Sequence, residues 1–123
     1  MTIITSVLFL FFLFASSIKV LGWQPFIFNT QLAFFKKYGL TRTHMYLVGL
    51  IEMAAAILLL ASLILKLDLL MVLGALGIAF TSLGALYFHF RYDTFKDAVP
   101  ALITLVLSGM ILIKHYGLIA SLL

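Results

Sequence analysis

Residues Met45–Leu65, MYLVGLIEMAAAILLLASLIL, form an apolar run containing one charge, Glu52. Crossing the hydrocarbon core takes roughly 20 residues at about 1.5 Å each, so this run predicts a transmembrane helix. A carboxylate placed in such a helix costs about 2.5–3.5 kcal/mol at the bilayer centre on insertion scales. Glu52 is therefore the first candidate for a functional side chain, and the remaining chain must supply whatever makes it tolerable.

The rest of the sequence has the same character. Of its 123 residues, 65% are hydrophobic and 10% charged, against about 45–50% and 25% in soluble domains. This composition predicts an integral membrane protein with room for four spans and short connections. The fold expected is all-α: an antiparallel four-transmembrane-helix bundle with a short interfacial segment between the first two helices, one domain over residues 1–123. The net charge of +4 comes from Lys and Arg standing singly at span ends, where an anionic leaflet explains them without nucleic acid. No cysteine is present, which excludes thiol–disulfide relays and thiolate-ligated metal or iron–sulfur sites.

The first span covers about Thr2 to Gly22. It lacks the basic flank and small-residue cleavage site of a signal peptide and is read as a retained helix. Lys19, near its end, is placed to snorkel. In the connection 23–44, Trp23 and Tyr38 are interfacial types, and Phe26, Phe28, Phe34 and Phe35 alternate with polar residues, which predicts a half-buried interfacial segment or short helix. Tyr38-Gly39-Leu40 breaks it, and Thr41 or Thr43 caps the next helix.

After the Glu52 helix, Lys66-Leu67-Asp68 is short enough to require an antiparallel hairpin, with Asp68 as N-cap of the third span. That span, Leu69 to about Phe90, carries Gly77, Thr81, Ala85 and His89 on one face. With Gly74 and Gly84, the small residues suit close packing within the bundle or against a second copy. In 91–97, RYDTFKD, Thr94 and Asp97 have capping-box spacing. Pro100 is expected in the first turn of the fourth helix, which runs to about Lys114.

The connections 23–44 and 91–97 fall on one side. With Lys19 they place Lys36, Lys37, Arg42, Arg91 and Lys96 there, leaving Lys66 and Lys114 opposite. Positive charge favours the cytoplasm, so these connections are expected inside and both termini outside.

This topology gathers the strongly polar spanning residues in one half of the bundle. Glu52 lies seven or eight residues into its span, about 11 Å deep. It forms the floor of an expected polar pocket, with Lys19, His89 or Arg91 as partner and Gly49 one turn away. Ser16, Tyr46 and Tyr87 are candidates for further hydrogen bonds. Left alone in lipid, a carboxylate takes up a proton and can carry it; beside a lysine or arginine it stays ionised. The competing reading is a structural ion pair that fixes helix register. His44 and His115 read as boundary residues. The three histidines share no ligand spacing, so no metal is expected. The serines lie in apolar runs without a histidine at helical spacing, which argues against nucleophilic catalysis.

The chain resembles the DoxX-like family of small four-span membrane proteins. The resemblance rests on Ala15-Ser16-Ser17-Ile18-Lys19, Tyr38-Gly39-Leu40, Gly49-Leu50-Ile51-Glu52, His89, and Asp93 with Pro100. Many relatives place glycine after the first serine, where Ser17 and Ile18 stand here. The resemblance implies a four-helix bundle in a bacterial inner membrane. Relatives have been associated with quinone-linked sulfur oxidation, oxidative-stress complexes, methylamine-dehydrogenase maturation and, in animals, nicotinic-receptor assembly. Function does not transfer from fold alone. The first expectation is an accessory or ligand-binding protein that takes a quinone or lipid-like molecule, or assists a membrane redox complex. It would have membrane lipid, a membrane protein or its own copy as partner. A non-catalytic subunit of a quinone-linked oxidoreductase is the second. A proton-coupled transporter is the third, since small multidrug exporters share the layout but carry their carboxylate in the first helix. A structural bundle without a ligand is the bland alternative.

Overall fold

A computed structural model describes residues 2–122. Four of its helices are long and apolar enough to cross a membrane: α1 (Thr2–Leu21), α3 (Arg42–Leu65), α4 (Asp68–Tyr92) and α5 (Phe95–Lys114). Between the first two lies α2 (Pro25–Lys37), and a short α6 (Tyr116–Leu122) follows α5. The interfacial segment is thus a true helix. Only α6 has no counterpart in the sequence reading.

Each spanning helix buries one narrow stripe. In α1 it is Thr5, Leu8, Phe12 and Ser16; in α3 it is Met45, Gly49, Glu52, Ala56 and Leu59; in α5 it is Ala98, Ala101, Thr104, Ser108 and Ile111. Steps of three and four keep these residues on one face, while the exposed remainder is apolar, as a lipid-facing surface requires. Backbones approach where side chains are small. A Cβ on Gly74 would lie 2.9 Å from Leu59 Cδ2, and one on Gly77 would lie 3.2 Å from Ala55 Cβ, so both glycines seat α4 on α3. Gly84 meets nothing and contributes no packing. α1 packs on α3, α3 on α4 and α4 on α5, whereas α1 and α5 touch only sparsely.

The helix ends follow local chemistry, with two corrections. Thr41 caps α3, and its N–H donates to His44 Nδ1 at 3.0 Å, so His44 stands at the boundary as expected and completes the cap there. The α2 helix stops in a Schellman arrangement, Leu40 N–H to Phe35 O and Gly39 N–H to Lys36 O, with Gly39 at φ 80°. Asp68, expected as N-cap, is instead the first residue of α4; Leu67 occupies the cap without a side-chain bond, and Lys66 makes the tight turn at φ 55°. Pro100 is not in the first turn of α5. The Thr94–Asp97 capping box starts that helix early, so Pro100 sits in its second turn. There it leaves the Lys96 carbonyl without its usual amide donor.

The α2 helix lies against the end of the bundle through Ile27, Phe28, Gln31, Leu32, Phe34, Phe35 and Tyr38, which are half-buried on one helical face. Phe26 departs from the expected pattern and is 78% exposed. Arg42 ties the corner together: its guanidinium donates to Val20 O at 3.0 Å and lies 4.9 Å from the Phe28 ring and 5.7 Å from the Tyr46 ring.

Gly49 fixes the α1–α3 spacing, since a Cβ there would stand 2.8 Å from Lys19 Cβ and 3.0 Å from Val20 Cγ2. Replacing it with valine forces the helices apart. The expected loss is about 1–3 kcal/mol, as for other overpacked sites, measured by unfolding in detergent, while Gly84→Ala leaves stability unchanged.

Candidate functional site

Against the face of α3 that α1 covers, the close approach at Gly49 brings Lys19 to Glu52. Lys19 Nζ lies 2.9 Å from Glu52 Oε1, and both side chains are largely buried, at 12% and 6% exposure. The contact is one of charge without an aligned hydrogen bond, because Oε1 has no hydrogen-bond partner. An ion pair of this kind answers the cost of the carboxylate with a neighbouring charge from the adjacent helix.

The pair borders an open-sided cavity of about 450 Å³ lined by residues of five helices. Phe11, Phe12, Ala15 and Lys19 come from α1, Gln31, Phe34, Phe35 and Tyr38 from α2, and Val48 and Glu52 from α3. Thr81, Ser82, Ala85 and His89 come from α4, and Lys96, Asp97, Pro100, Ala101 and Thr104 from α5. The face carrying Thr81, Ala85 and His89 therefore lines the cavity, while Gly74 and Gly77 on the same helix do the packing. Ser82 and Thr104 share a 2.7 Å hydrogen bond that joins α4 to α5 beside it.

The sequence-predicted residues separate into those the fold assembles and those it does not. Lys19, Glu52 and His89 border the cavity, and Gly49 admits Lys19 to it. Ser16 is fully buried at the α1–α3 contact with its hydroxyl turned back to Leu13 O at 3.2 Å, so it gives Glu52 nothing. Arg91 faces away: its guanidinium reaches the Tyr87 hydroxyl at 3.3 Å and lies 5.6 Å from the Tyr92 ring on the exposed side of α4. That correction has a geometric cause. Arg91 is two residues past His89, and two residues on a helix point to nearly opposite faces. Tyr46 and Tyr87 are engaged by Arg42 and Arg91, not by the cavity.

His89 is not a partner of Glu52. Its Nδ1 lies 2.8 Å from Asp93 Oδ2, one helical turn on, and 3.1 Å from the Tyr38 hydroxyl. Asp93 is the centre of this second polar cluster. Its side chain is fully buried, and it also accepts from Lys37 Nζ and the Tyr38 hydroxyl. Tyr38 stacks on Phe88 with centroids 4.8 Å apart, and the His89 ring meets Phe34 edge-on at 5.5 Å. These contacts clamp α2 across the end of α4 and make the roof of the cavity. The i,i+4 spacing of His89 and Asp93 was visible in the sequence. The part played by Lys37 and Tyr38, more than fifty residues earlier, depended on where α2 would lie.

Burial works against the Asp93 charge, but hydrogen bonds from Lys37, Tyr38 and His89 and the Lys37 charge outweigh it and hold the carboxyl at about 2. Burial, then the bond to Asp93, pushes the Tyr38 phenol up. Because the Asp93 value is depressed on folding, its contribution is complete above the ordinary value of 3.8 and is lost as pH falls through about 2.

Two predictions follow from these clusters. In infrared titration of carboxyl-labelled aspartates, the carboxylate band removed by Asp93→Asn persists to about pH 2; protonation near 4 contradicts the clamp. For the deeper pair, Lys19→Met alone leaves a buried charge uncompensated and costs about 3–5 kcal/mol in detergent unfolding, while Lys19→Met with Glu52→Leu restores most of it.

The DoxX-like family profile matches residues 3–111. No curated protein and no solved structure shows a significant match. The match takes in α3 and α4 whole, all but the ends of α1 and α5, and every residue of both polar clusters. With four apolar helices in sequence, the chain is a multi-pass membrane protein by every feature of its composition and fold, and it belongs to the DoxX-like family.

Proposed function

We propose that this protein is an accessory, ligand-binding component of a bacterial inner membrane, holding a quinone-class or other lipid-like molecule between its helices. The observation that carries this reading is the cavity: about 450 Å³, with aromatic walls and a polar end at Lys19, Glu52 and His89. Its size falls within the roughly 300–1,000 Å³ of small-molecule sites, which are mostly apolar with a few placed polar groups. The sparse contact between α1 and α5 supports entry from the bilayer, since the cavity has walls from both helices and they are not zipped together.

The lysine beside Glu52 favours a binding role over that of a lone proton carrier, because the carboxylate does not stand alone but has a cation 2.9 Å away. The orientation that suits this role has the connections 23–44 and 91–97, and with them the α2 roof, facing the cytoplasm. A membrane redox enzyme is the partner class such a protein would serve, with lipid or a second copy against its outer faces.

Filling the cavity tests the reading. Ala85→Phe or Ala15→Phe places a ring in the space while leaving both polar clusters in place. Organic extraction of the purified protein followed by mass spectrometry is expected to recover an amphipathic molecule from the native protein and at least tenfold less from either variant. Equal recovery from all three would mean that the molecule sits on the outer surface.

A further inference from the structure

The hydrogen bonds around Asp93 determine which nitrogen of His89 carries its proton. A buried carboxylate can only accept, so the 2.8 Å contact from Nδ1 to Asp93 Oδ2 places the proton on Nδ1. The Tyr38 contact agrees. Its one hydroxyl hydrogen goes to Asp93, so at 3.1 Å from Nδ1 the phenolic oxygen is the acceptor. In the neutral ring Nε2 then holds a lone pair, and among the described residues it has no hydrogen-bond partner. The ring lines the cavity, and its Nδ1 is taken up by Asp93 and Tyr38.

One further acceptor on the same cavity lacks a donor. Gln31 Oε1 is buried without a hydrogen bond, and Glu52 Oε1 is held by the Lys19 ammonium. Lys19 is already paired with Glu52, and Lys37 with Asp93. A carboxylate headgroup would meet the lone pairs of His89 Nε2 and Gln31 Oε1 with no hydrogen to give, whereas a neutral group bearing an O–H finds acceptors waiting.

We propose that His89 Nε2 is the recognition atom of the cavity, and that the cavity takes a neutral amphipath whose headgroup donates a hydroxyl hydrogen. This rests on the binding role proposed above and adds the ligand's chemistry. Of a quinone couple it selects the reduced, dihydroxy member, because the oxidised one offers only carbonyl acceptors. Asp93 and Lys37 are positioning residues, acting through the imidazole.

The test compares 4-nonylphenol, its methyl ether and decanoate for binding to the full-length protein in detergent or nanodiscs. The native protein is expected to bind the phenol about tenfold more tightly than the ether, the effect of about one hydrogen bond, and to disfavour decanoate. His89→Asn keeps a donor to Asp93 through its amide but removes Nε2, and it brings phenol and ether to parity. In Asp93→Asn, Lys37 holds the amide oxygen and turns the NH₂ toward His89 Nδ1. The ring proton then moves to Nε2, and the preference shifts toward the ether. Nitrogen-15 spectra of the histidine rings, with His89 assigned by its loss in His89→Asn, read the tautomer directly in the native protein, without need of any variant that folds poorly at Asp93. A proton on Nε2 in the native protein overturns the proposal, as does equal binding of phenol and ether or tighter binding of decanoate. Binding of none of the three removes both the proposal and the binding role beneath it, an outcome distinct from binding without preference.

Discussion

The ion pair between Lys19 and Glu52 sets the terms for this bundle. A carboxylate about 11 Å into a span is tolerable when a cation from a neighbouring helix reaches it, and that reach requires α1 and α3 to come close. Gly49 permits the approach: with any side chain there, the Lys19 Cβ would be displaced. The rest of the α1–α3 contact, from Thr5 to Ile18 on one side and Met45 to Ser62 on the other, is the packing that holds this spacing. Coulomb attraction and close packing are thus coupled through one residue.

The same arrangement leaves space. α3 is covered by α1 on one side and α4 on the other, and α5 packs on α4, so the α1–α5 side of the bundle is the least filled. α2 closes the end of that space through the Lys37–Asp93–Tyr38–His89 cluster. The two polar groups therefore do different things. The pair at Glu52 makes the floor and fixes two helices, while the cluster at Asp93 holds the roof and orients the imidazole. Both clusters are charge-balanced, which suits a cavity embedded in a low-dielectric surround.

Much of this was legible in the sequence because membrane spans are read from length and hydropathy alone. All four spans, the interfacial segment, the tight turn at Lys66 and the gathering of Lys19, Glu52 and His89 at one end of the bundle follow from that pattern. Rotation of each helix about its axis does not. Nearly uniform hydrophobicity gives little indication of which stripe faces inward, so the sequence does not show that Arg91 turns from the site or that Ser16 does not reach it. Pro100 departs from its expected place for another reason: the capping box at Thr94 competes with a proline's preference for the first turn, and the box sets the helix start. Asp93 stands out as a motif residue, but its partners Lys37 and Tyr38 become visible only when α2 is laid over the end of α4, a contact without local sequence signal.

The account stands on the cavity being a binding space with one polar end. An experimental structure of the protein in lipid nanodiscs, at a resolution that shows individual side chains, tests this most directly. The account requires elongated non-protein density between Phe12, Phe34 and Phe35, with its head against His89 and its tail directed toward the α1–α5 seam. A cavity closed by inward-turned side chains, with α1 and α5 in continuous contact, would contradict it.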